Sequence, residues 1–168
     1  MPDDMIVVRN LTKAFNGRTI LDGINVTVKK GEVLVIMGGS GCGKSTLLRQ
    51  IIGLSKPDAG EVWIRGQEVT RMDEKTFSEM RKKFGMLFQS GALFNSMTVG
   101  ENVSLPILEH TKLSEEVVNI MVKIKLELVG LTGFEHLMPS EISGGMKKRV
   151  GLARAIAMDP ELLFCDEP

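Results

Sequence analysis

The segment Gly38–Ser45 carries the clearest chemical pattern in the chain. It fits the spacing G-x-x-x-x-G-K-[ST], with the apolar run Val33–Met37 before it and a helical pattern after it. Glycines allow the backbone to close into a ring of inward-pointing N–H groups, and the Lys44 ammonium reaches the β- and γ-phosphates of a nucleotide. The pattern predicts nucleoside triphosphate binding, with a glycine-rich turn that binds nothing as the alternative. The predicted contacts are Gly38, Gly39, Ser40, Gly41, Cys42, Gly43, Lys44, Ser45 and Thr46.

The segment Leu162–Asp166 is an apolar run that ends in an acidic residue. A strand of this composition usually accompanies a phosphate-binding loop. A carboxylate at the end of a buried strand holds Mg²⁺ directly or through water, together with the Ser45 hydroxyl of the loop. Glu167 follows at once and is placed to polarise a water for attack on the γ-phosphate. Many apolar strands end in acids, so the pairing with the upstream loop gives this pattern its weight.

A second candidate anion site is Ser143-Gly144-Gly145, which stands just before an amphipathic helical pattern. It offers an N-cap hydroxyl, exposed backbone N–H groups and the positive end of a helix dipole. A single fold seldom aims two such sites at one phosphate from opposite sides, whereas a head-to-tail pair of chains can do so. A plain helix cap is the alternative interpretation.

Bulk properties limit the function classes. The chain has 168 residues, enough for one domain with a sizeable core, and 21 basic residues balance 21 acidic ones. This balance argues against nucleic acid as a partner, since binding it requires a basic excess. No run of about 18 apolar residues occurs, which predicts no membrane span. The acidic start of the chain predicts no signal peptide, and two cysteines give no disulfide framework.

The local patterns predict the elements that position these residues. Two strands joined at Asn16-Gly17 form an antiparallel hairpin, and Val33–Met37 forms a central strand that is covered on both faces. A helix with Ser114 as N-cap buries Val117, Val118, Met121, Ile124 and Leu128. The remaining predictions are strands at Ile6–Leu11, Ile20–Val28, Glu61–Arg65, Glu68–Val69, Phe84–Phe88 and Leu162–Asp166, and helices at Thr46–Gly53, Thr76–Lys83, Ser96 to about Gly130, and after Ser143.

This order predicts an α/β fold: a P-loop NTPase (RecA-like) core with an N-terminal antiparallel β portion and a helical insertion. We expect a single domain over residues 1–168. Residues of about 1–90 and 160–168 form the core and β portion, and residues of about 91–159 form a helical subdomain.

Taken together, the motifs resemble those of ABC-transporter nucleotide-binding subunits, from about Ile6 to the end of the chain. The resemblance identifies Gly38–Ser45 as Walker A, Gln89 as the Q-loop, Ile142–Met146 as the signature motif and Leu162–Asp166 as Walker B. It also identifies Glu167 as the catalytic glutamate and Phe15 as the aromatic residue that stacks on adenine.

Three segments resemble a narrower group, the ATPases of the Mla (MCE-type) phospholipid transport systems. They are Leu87–Phe94, Glu109–Thr111 and Leu137–Met146. The resemblance implies ATP-driven phospholipid transport between bacterial membranes, with the subunit at the cytoplasmic face of the inner membrane. It also implies a membrane permease and a substrate-binding MCE protein as partners, and no nucleic acid.

The resemblance further implies a site shared between two copies of the chain. ATP lies between Walker A of one copy and Ser143-Gly144-Gly145 of the other. Lys44, Gln89 and Glu167 are the expected catalytic residues. Ser45, Gln89 and Asp166 are the expected Mg²⁺ ligands, and the region of Leu93–Pro106 is expected to form a groove for a permease helix.

The chain departs from the family pattern in three respects. Met146 replaces the usual glutamine, Phe15 replaces tyrosine, and no switch histidine follows Asp166, since His110 and His136 both lie upstream. We therefore expect the 168 residues to be C-terminally truncated, with weak or no turnover and with apolar surface exposed around Val33–Met37 and Leu162–Asp166. The alternatives are an ATP-binding fragment without turnover, a non-transport ABC ATPase that acts as an interaction switch, and an unrelated P-loop kinase or GTPase.

Overall fold

The computed structural model of the chain describes residues 3–167, which form two compact units. The first unit runs to Ser78 and the second begins at Glu79. Met1, Pro2 and Pro168, which the sequence analysis placed at the ends of the domain, lie outside the described residues.

The first unit contains a four-stranded antiparallel sheet with the strand order β2-β1-β3-β4. The first two strands form the predicted hairpin, in which Asn16 and Gly17 both have positive φ and Phe15 is paired with Arg18. Positive φ at both central residues matches the twist of the flanking strands, which explains why Asn-Gly is found there. The strands are β1 (Asp4–Phe15), β2 (Arg18–Lys29), β3 (Ala59–Ile64) and β4 (Gln67–Glu68).

Alternating apolar residues give this sheet a buried face. Val8, Leu11, Val62 and Ile64 are each no more than 1% exposed. The helices of this unit are α1 (Lys44–Ile51), which buries Leu47 and Ile51, and α2 (Glu74–Arg81), whose Arg81 end passes the boundary between the units.

The apolar run Val33–Met37 does not form the predicted central strand. Its backbone is irregular, and the exposed fraction of its side chains ranges from 43% at Leu34 to 87% at Val33 and Met37. Hydropathy indicates a preference for burial, but a strand also needs a neighbouring strand to satisfy its N–H and C=O groups. Among residues 3–167 no strand pairs with this run. The expected exposure of apolar surface here is confirmed.

In the second unit, β5 (Phe84–Leu87) and β6 (Leu162–Cys165) form a parallel pair. The backbone N–H of Asp166 donates to the Leu87 carbonyl over 2.9 Å, so the pairing continues just past both strands. Since parallel strands end at the same edge of a sheet, the segments after β5 and β6 emerge side by side.

Three α-helices enclose the apolar core of the second unit: α3 (Val99–His110), α4 (Glu115–Leu128) and α5 (Gly144–Ala155). α3 begins with a capping box formed by Thr98 and Glu101. The buried residues of the core come from all three helices and from the segments beside them: Val99, Val103, Ile107, Val118, Val122, Leu126, Leu131, Ile142, Val150, Ala153 and Ala157.

The core face predicted for α4 is partly wrong. Val118 is buried as expected, but Val117, Ile124 and Leu128 are 41% to 67% exposed. The helix is apolar on two sides, and packing against α3 and α5 selects the side that carries Val122. No helix in residues 3–167 has both the length and the apolar character that crossing a membrane requires.

Candidate functional site

The loop before α1 adopts a backbone conformation that needs glycine at two positions. Gly41 and Gly43 have φ of 76° and 99°, a region that side chains other than glycine rarely adopt. α1 begins at Lys44, two residues earlier than predicted, so Lys44, Ser45 and Thr46 form its first turn. Its N-cap residue is Gly43, so no side chain accepts a hydrogen bond from the first N–H groups of the helix.

The Lys44 ammonium lies across the loop. Its Nζ donates to the carbonyl oxygens of Gly38 and Gly39 over 2.8 and 2.9 Å. A Cβ on Gly38 would come within 2.6 Å of the Cys42 sulfur, so the chain's own packing favours glycine there. The loop therefore gathers a positive charge and a helix N-terminus, both of which stabilise phosphate.

Phe15 lies at the end of β1, with 48% of its surface exposed. The Lys13 ammonium lies 5.4 Å from the centre of the Phe15 ring and is fixed by Asp58 at 2.8 Å and by the Lys56 carbonyl at 2.8 Å. The hydrogen bond from Lys13, followed by one from the Ala14 N–H, lowers the pKa of the Asp58 carboxyl. This support holds the end of β1 and leaves Phe15 accessible for stacking on a planar ring.

Gln89 and Glu167 meet where β5 and β6 end. The Gln89 Nε2 donates to the Glu167 Oε2 over 2.6 Å, and both side chains are exposed. Asp166 lies between β6 and Glu167 and is partly buried. The Asp166 carboxylate and the Gln89 amide oxygen are both hard oxygen ligands of the type that Mg²⁺ prefers, and the Ser45 hydroxyl of the first unit is another.

Among residues 3–167, no contact explains the two glycines at the start of α5. Ser143 caps the helix, and its Oγ accepts from the Met146 N–H over 3.3 Å. A Cβ on Gly144 or Gly145 would meet no atom within 4 Å, and neither residue has a positive φ. The Met146 side chain packs against the helical core.

A groove of about 560 Å³ opens on the second unit. Phe88 and Phe94 are among its lining residues and are 42% and 52% exposed, and basic and acidic side chains also line it. Its size falls within the range of clefts that hold a ligand or a partner's side chains. The lining comes from the end of α2 and the residue after it, from β5 and the residues after it, from α3, and from α5 and Met158 beyond it. It includes Arg81, Lys82, Met86, Leu105, Pro106, Glu109, His110, Arg154 and Met158.

The predicted site residues thus fall into two sets, one in each unit. Phe15 and Gly38–Thr46 belong to the first unit, and Gln89, Ser143–Gly145 and Asp166 with Glu167 belong to the second. His110 and His136 are exposed, as expected for surface residues.

Sequence reasoning missed Arg154 and Asn102, which hold the segment after Gln89. Asn102 is fully buried, and Arg154 donates to the carbonyls of Gly91 and Ala92. The available signal was a polar or charged residue on the apolar side of a helix, with Asn102 between Val99 and Val103 and Arg154 beside Ala153.

Comparison with known proteins gives a family match over most of the chain and several similar relatives. A family profile described as "ABC transporter" matches residues 21–168. The chain is 50% identical over its whole length to the intermembrane phospholipid transport system ATP-binding protein MlaF of Haemophilus influenzae, and it covers 64% of that protein. It is 46% identical, over 97% of its length, to the probable ribonucleotide transport ATP-binding protein mkl of Mycobacterium leprae, and it covers 47% of that protein.

A solved structure gives the same result for the fold. The dimeric ATP-binding cassette MJ0796, in a post-hydrolysis state with ADP and Pi, superimposes with a TM-score of 0.90 at 34% identity. The match covers 98% of this chain and 74% of that one. The chain spans less than two thirds of the length of both of these sequence relatives. The loop, the acidic strand end, the capped glycines and the family match together show that the chain belongs to the ABC transporter family.

Proposed function

We propose that this chain is the ATP-binding part of a subunit that binds and hydrolyses ATP as a dimer and thereby drives transport through a membrane permease. The observation that carries the proposal is the pair Gly144 and Gly145. Glycine within a helix costs stability relative to alanine, and neither packing nor backbone conformation in residues 3–167 requires it at these positions. A ligand that is held by a second copy and approaches the backbone closely would explain why glycine stands at both positions.

The residues divide the chemistry between them. The loop N–H groups and Lys44 bind the phosphates, and Phe15 stacks on the base. Glu167 accepts a proton from the water whose oxygen attacks the γ-phosphorus, while the bond from that phosphorus to the bridging oxygen breaks and releases ADP and phosphate.

Mg²⁺ fits the oxygen donors that the chain presents, which are Ser45, Gln89 and Asp166. When bound, it neutralises charge on the β- and γ-phosphate oxygens. The Gln89 amide nitrogen donates to Glu167, so its amide oxygen is the atom that suits a cation.

A head-to-tail dimer gives each ATP a second set of donors. The partner's Ser143, Gly144 and Gly145 present N–H groups and a helix N-terminus to the γ-phosphate, opposite Lys44. The solved MJ0796 cassette with ADP and Pi is described as dimeric, which supports this assembly.

For the cargo we propose phospholipid, moved between bacterial membranes, because the MlaF relative is an intermembrane phospholipid transport protein. The partners are then a permease and an MCE substrate-binding protein, at the cytoplasmic face of the inner membrane. The groove beside β5 and α3 would receive a cytoplasmic helix of the permease, and Phe88 and Phe94 offer it apolar contact. A ribonucleotide cargo is the second candidate, since the mkl relative carries that description.

The test is reconstitution of the complete subunit and its permease in vesicles. We expect ATP-dependent movement of fluorescent phospholipid, and no movement with the Lys44→Ala subunit. ATP hydrolysis without lipid movement, accompanied by movement of labelled ribonucleotide, would favour the second candidate. Hydrolysis without association with any permease would favour a non-transport switch, and ATP binding without hydrolysis by the complete subunit would favour a binding protein without turnover.

The organisation of residues 1–168 as one nucleotide-binding domain, with a helical subdomain over about 91–159, is part of the same proposal. Limited proteolysis with and without ATP tests it, because a single domain is expected to be protected as a whole when nucleotide binds.

A further inference from the structure

Three consecutive residues after Gln89 have a left-handed backbone. Ser90, Gly91 and Ala92 have φ of 61°, 77° and 44°. Ser90 and Ala92 lack the freedom of glycine, and a left-handed residue of this kind costs about 1–2 kcal/mol. Such a turn persists only where neighbouring groups hold it in place.

Arg154 of α5 holds this turn from inside. Its Nη2 donates to the Gly91 carbonyl over 2.8 Å and to the Ala92 carbonyl over 2.9 Å, and its Nη1 lies 3.4 Å from the Asn102 Oδ1. Burial lowers the pKa of the Arg154 guanidinium, but arginine keeps its charge in proteins. The hydrogen bonds to both carbonyls are therefore charge-assisted, which makes them stronger than neutral ones.

Asn102 fixes the next stretch of chain. It is fully buried, and its Nδ2 donates to the carbonyls of Phe94, Met97 and Thr98, while its Oδ1 accepts from the Phe94 N–H over 2.8 Å. Arg154 and Asn102 together therefore hold the backbone from Gly91 to Thr98.

The turn also lies directly against α5. A Cβ on Gly91 would come within 2.5 Å of the Lys147 carbonyl oxygen, and a Cβ on Gly151 within 2.7 Å of the Gly91 Cα. α5 therefore carries the Ser143–Gly145 segment at its start and the Arg154 contact with the turn near its end. Gln89, at the beginning of the turn, donates to Glu167.

We propose that Arg154 is a positioning residue for hydrolysis: it ties the strained turn to α5 and so fixes Gln89, and through it Glu167, relative to the helix that presents Ser143. This inference rests on the proposed ATPase function. Arg154 touches neither nucleotide nor water. Its effect is to keep the Gln89 amide where it meets the Glu167 carboxylate, and errors of about 1 Å in such placement cost up to a hundredfold in rate.

The experiment compares Arg154→Met, Arg154→Lys and Arg149→Met in the complete subunit with its permease, with ATP as the only probe. Arg149 is the matched control, because it lies on the same helix and donates to two backbone carbonyls, those of Val129 and Gly130, at 3.3 and 3.5 Å. We expect Arg154→Met to lower kcat roughly ten- to hundredfold with KM unchanged, Arg154→Lys to recover part of the loss, and Arg149→Met to keep the wild-type kcat.

A second variant tests the strain directly. Ala92→Gly removes the cost of the left-handed conformation at that position, so we expect it to restore part of the kcat of Arg154→Met and to leave the wild-type kcat unchanged. All rates are measured well below the Tm of each variant and are expressed per folded subunit.

The inference is overturned if Arg154→Met lowers Tm but keeps the wild-type kcat, or if Arg149→Met loses as much kcat as Arg154→Met. It is also overturned if Ala92→Gly restores nothing. A wild-type subunit that binds ATP but does not hydrolyse it would overturn the proposed function instead, so the two failures are distinguishable.

Discussion

Two glycine-led helix starts, one in each unit, differ in what demands their glycines. Before α1, the backbone itself demands two of them, since Gly41 and Gly43 have positive φ. No side chain caps that helix start, and Lys44 is drawn onto the loop carbonyls.

At α5 the situation is reversed. Ser143 caps the helix, and in the described part of the chain no contact or backbone angle requires Gly144 or Gly145. The first start is therefore explained by its own backbone conformation. Among residues 3–167 nothing explains the glycines of the second, and the proposed partner copy supplies the reason. Each prediction below breaks or sharpens this contrast.

The largest effect is expected at the first helix start. Lys44→Ala removes the ammonium that meets the phosphates, so we expect ATP binding to fall below detection in equilibrium titration with a fluorescent analogue. Lys75→Ala, at an exposed position of α2, is the matched control and should bind as the wild type does. Retained affinity in Lys44→Ala would remove the loop from the phosphate-binding role.

The next effect leaves both helix starts intact and removes the base. Glu167→Gln keeps a side chain of the same size beside Gln89 but cannot accept a proton, so in the complete subunit we expect steady-state hydrolysis to fall about 10²–10⁴-fold. ATP affinity should stay within a few fold of the wild type. Unchanged turnover would exclude Glu167 as the base.

Paired substitutions to alanine test the contrast itself. At Gly144 the backbone accepts any residue, so Gly144→Ala should raise the free energy of unfolding by about 0.4–1 kcal/mol. At Gly41 the positive φ makes alanine cost about 1–2 kcal/mol. Both free energies are read from urea unfolding. We expect Gly144→Ala to hydrolyse ATP more slowly in spite of its greater stability.

Opposite results would reverse the argument. If Gly144→Ala destabilised the fold, the chain itself would demand that glycine, and a partner would no longer be needed to explain it.

The smallest effect concerns the support beneath Phe15. Because the folded state lowers the pKa of Asp58, its ionised form stabilises the protein above the unfolded pKa of roughly 4, and this stabilisation is lost as the pH falls through the folded pKa. Asp58→Asn should therefore be less stable than the wild type at neutral pH. The two unfolding midpoints should converge below a pH of about 4, and a constant difference across this range would contradict the assignment.

Two similar apolar runs show how much of the fold could be predicted from the sequence. Val33–Met37 and Leu162–Cys165 both have the hydropathy of a central strand, yet only the second forms one, because it pairs with β5. Apolar composition predicts that a run is buried. Whether it forms a strand depends on which other strands lie beside it in the fold. The Asn16-Gly17 hairpin was predictable, because a two-residue turn brings the strands on either side of it into pairing.

In the candidate site, too, the features set by neighbouring residues were predictable and those set by packing were not. Spacing alone predicted the loop at Gly38–Ser45 and the cap at Ser143, because each is a local pattern of neighbouring residues. The roles of Arg154 and Asn102 were not predictable, since their acceptors lie at positions that only the packing of α3 and α5 brings within reach.

The central claim is that each ATP site is shared between two copies, with Lys44 from one and Gly144 from the other. The most direct measurement is ATP hydrolysis by purified mixed dimers that pair a Lys44→Ala subunit with a Gly144→Glu subunit. Each variant alone should be inactive. The mixed dimer should regain activity, because one of its two sites then combines an intact loop with an intact partner helix start. Mixed dimers as inactive as either parent, or a fully active Gly144→Glu dimer, would contradict the shared site.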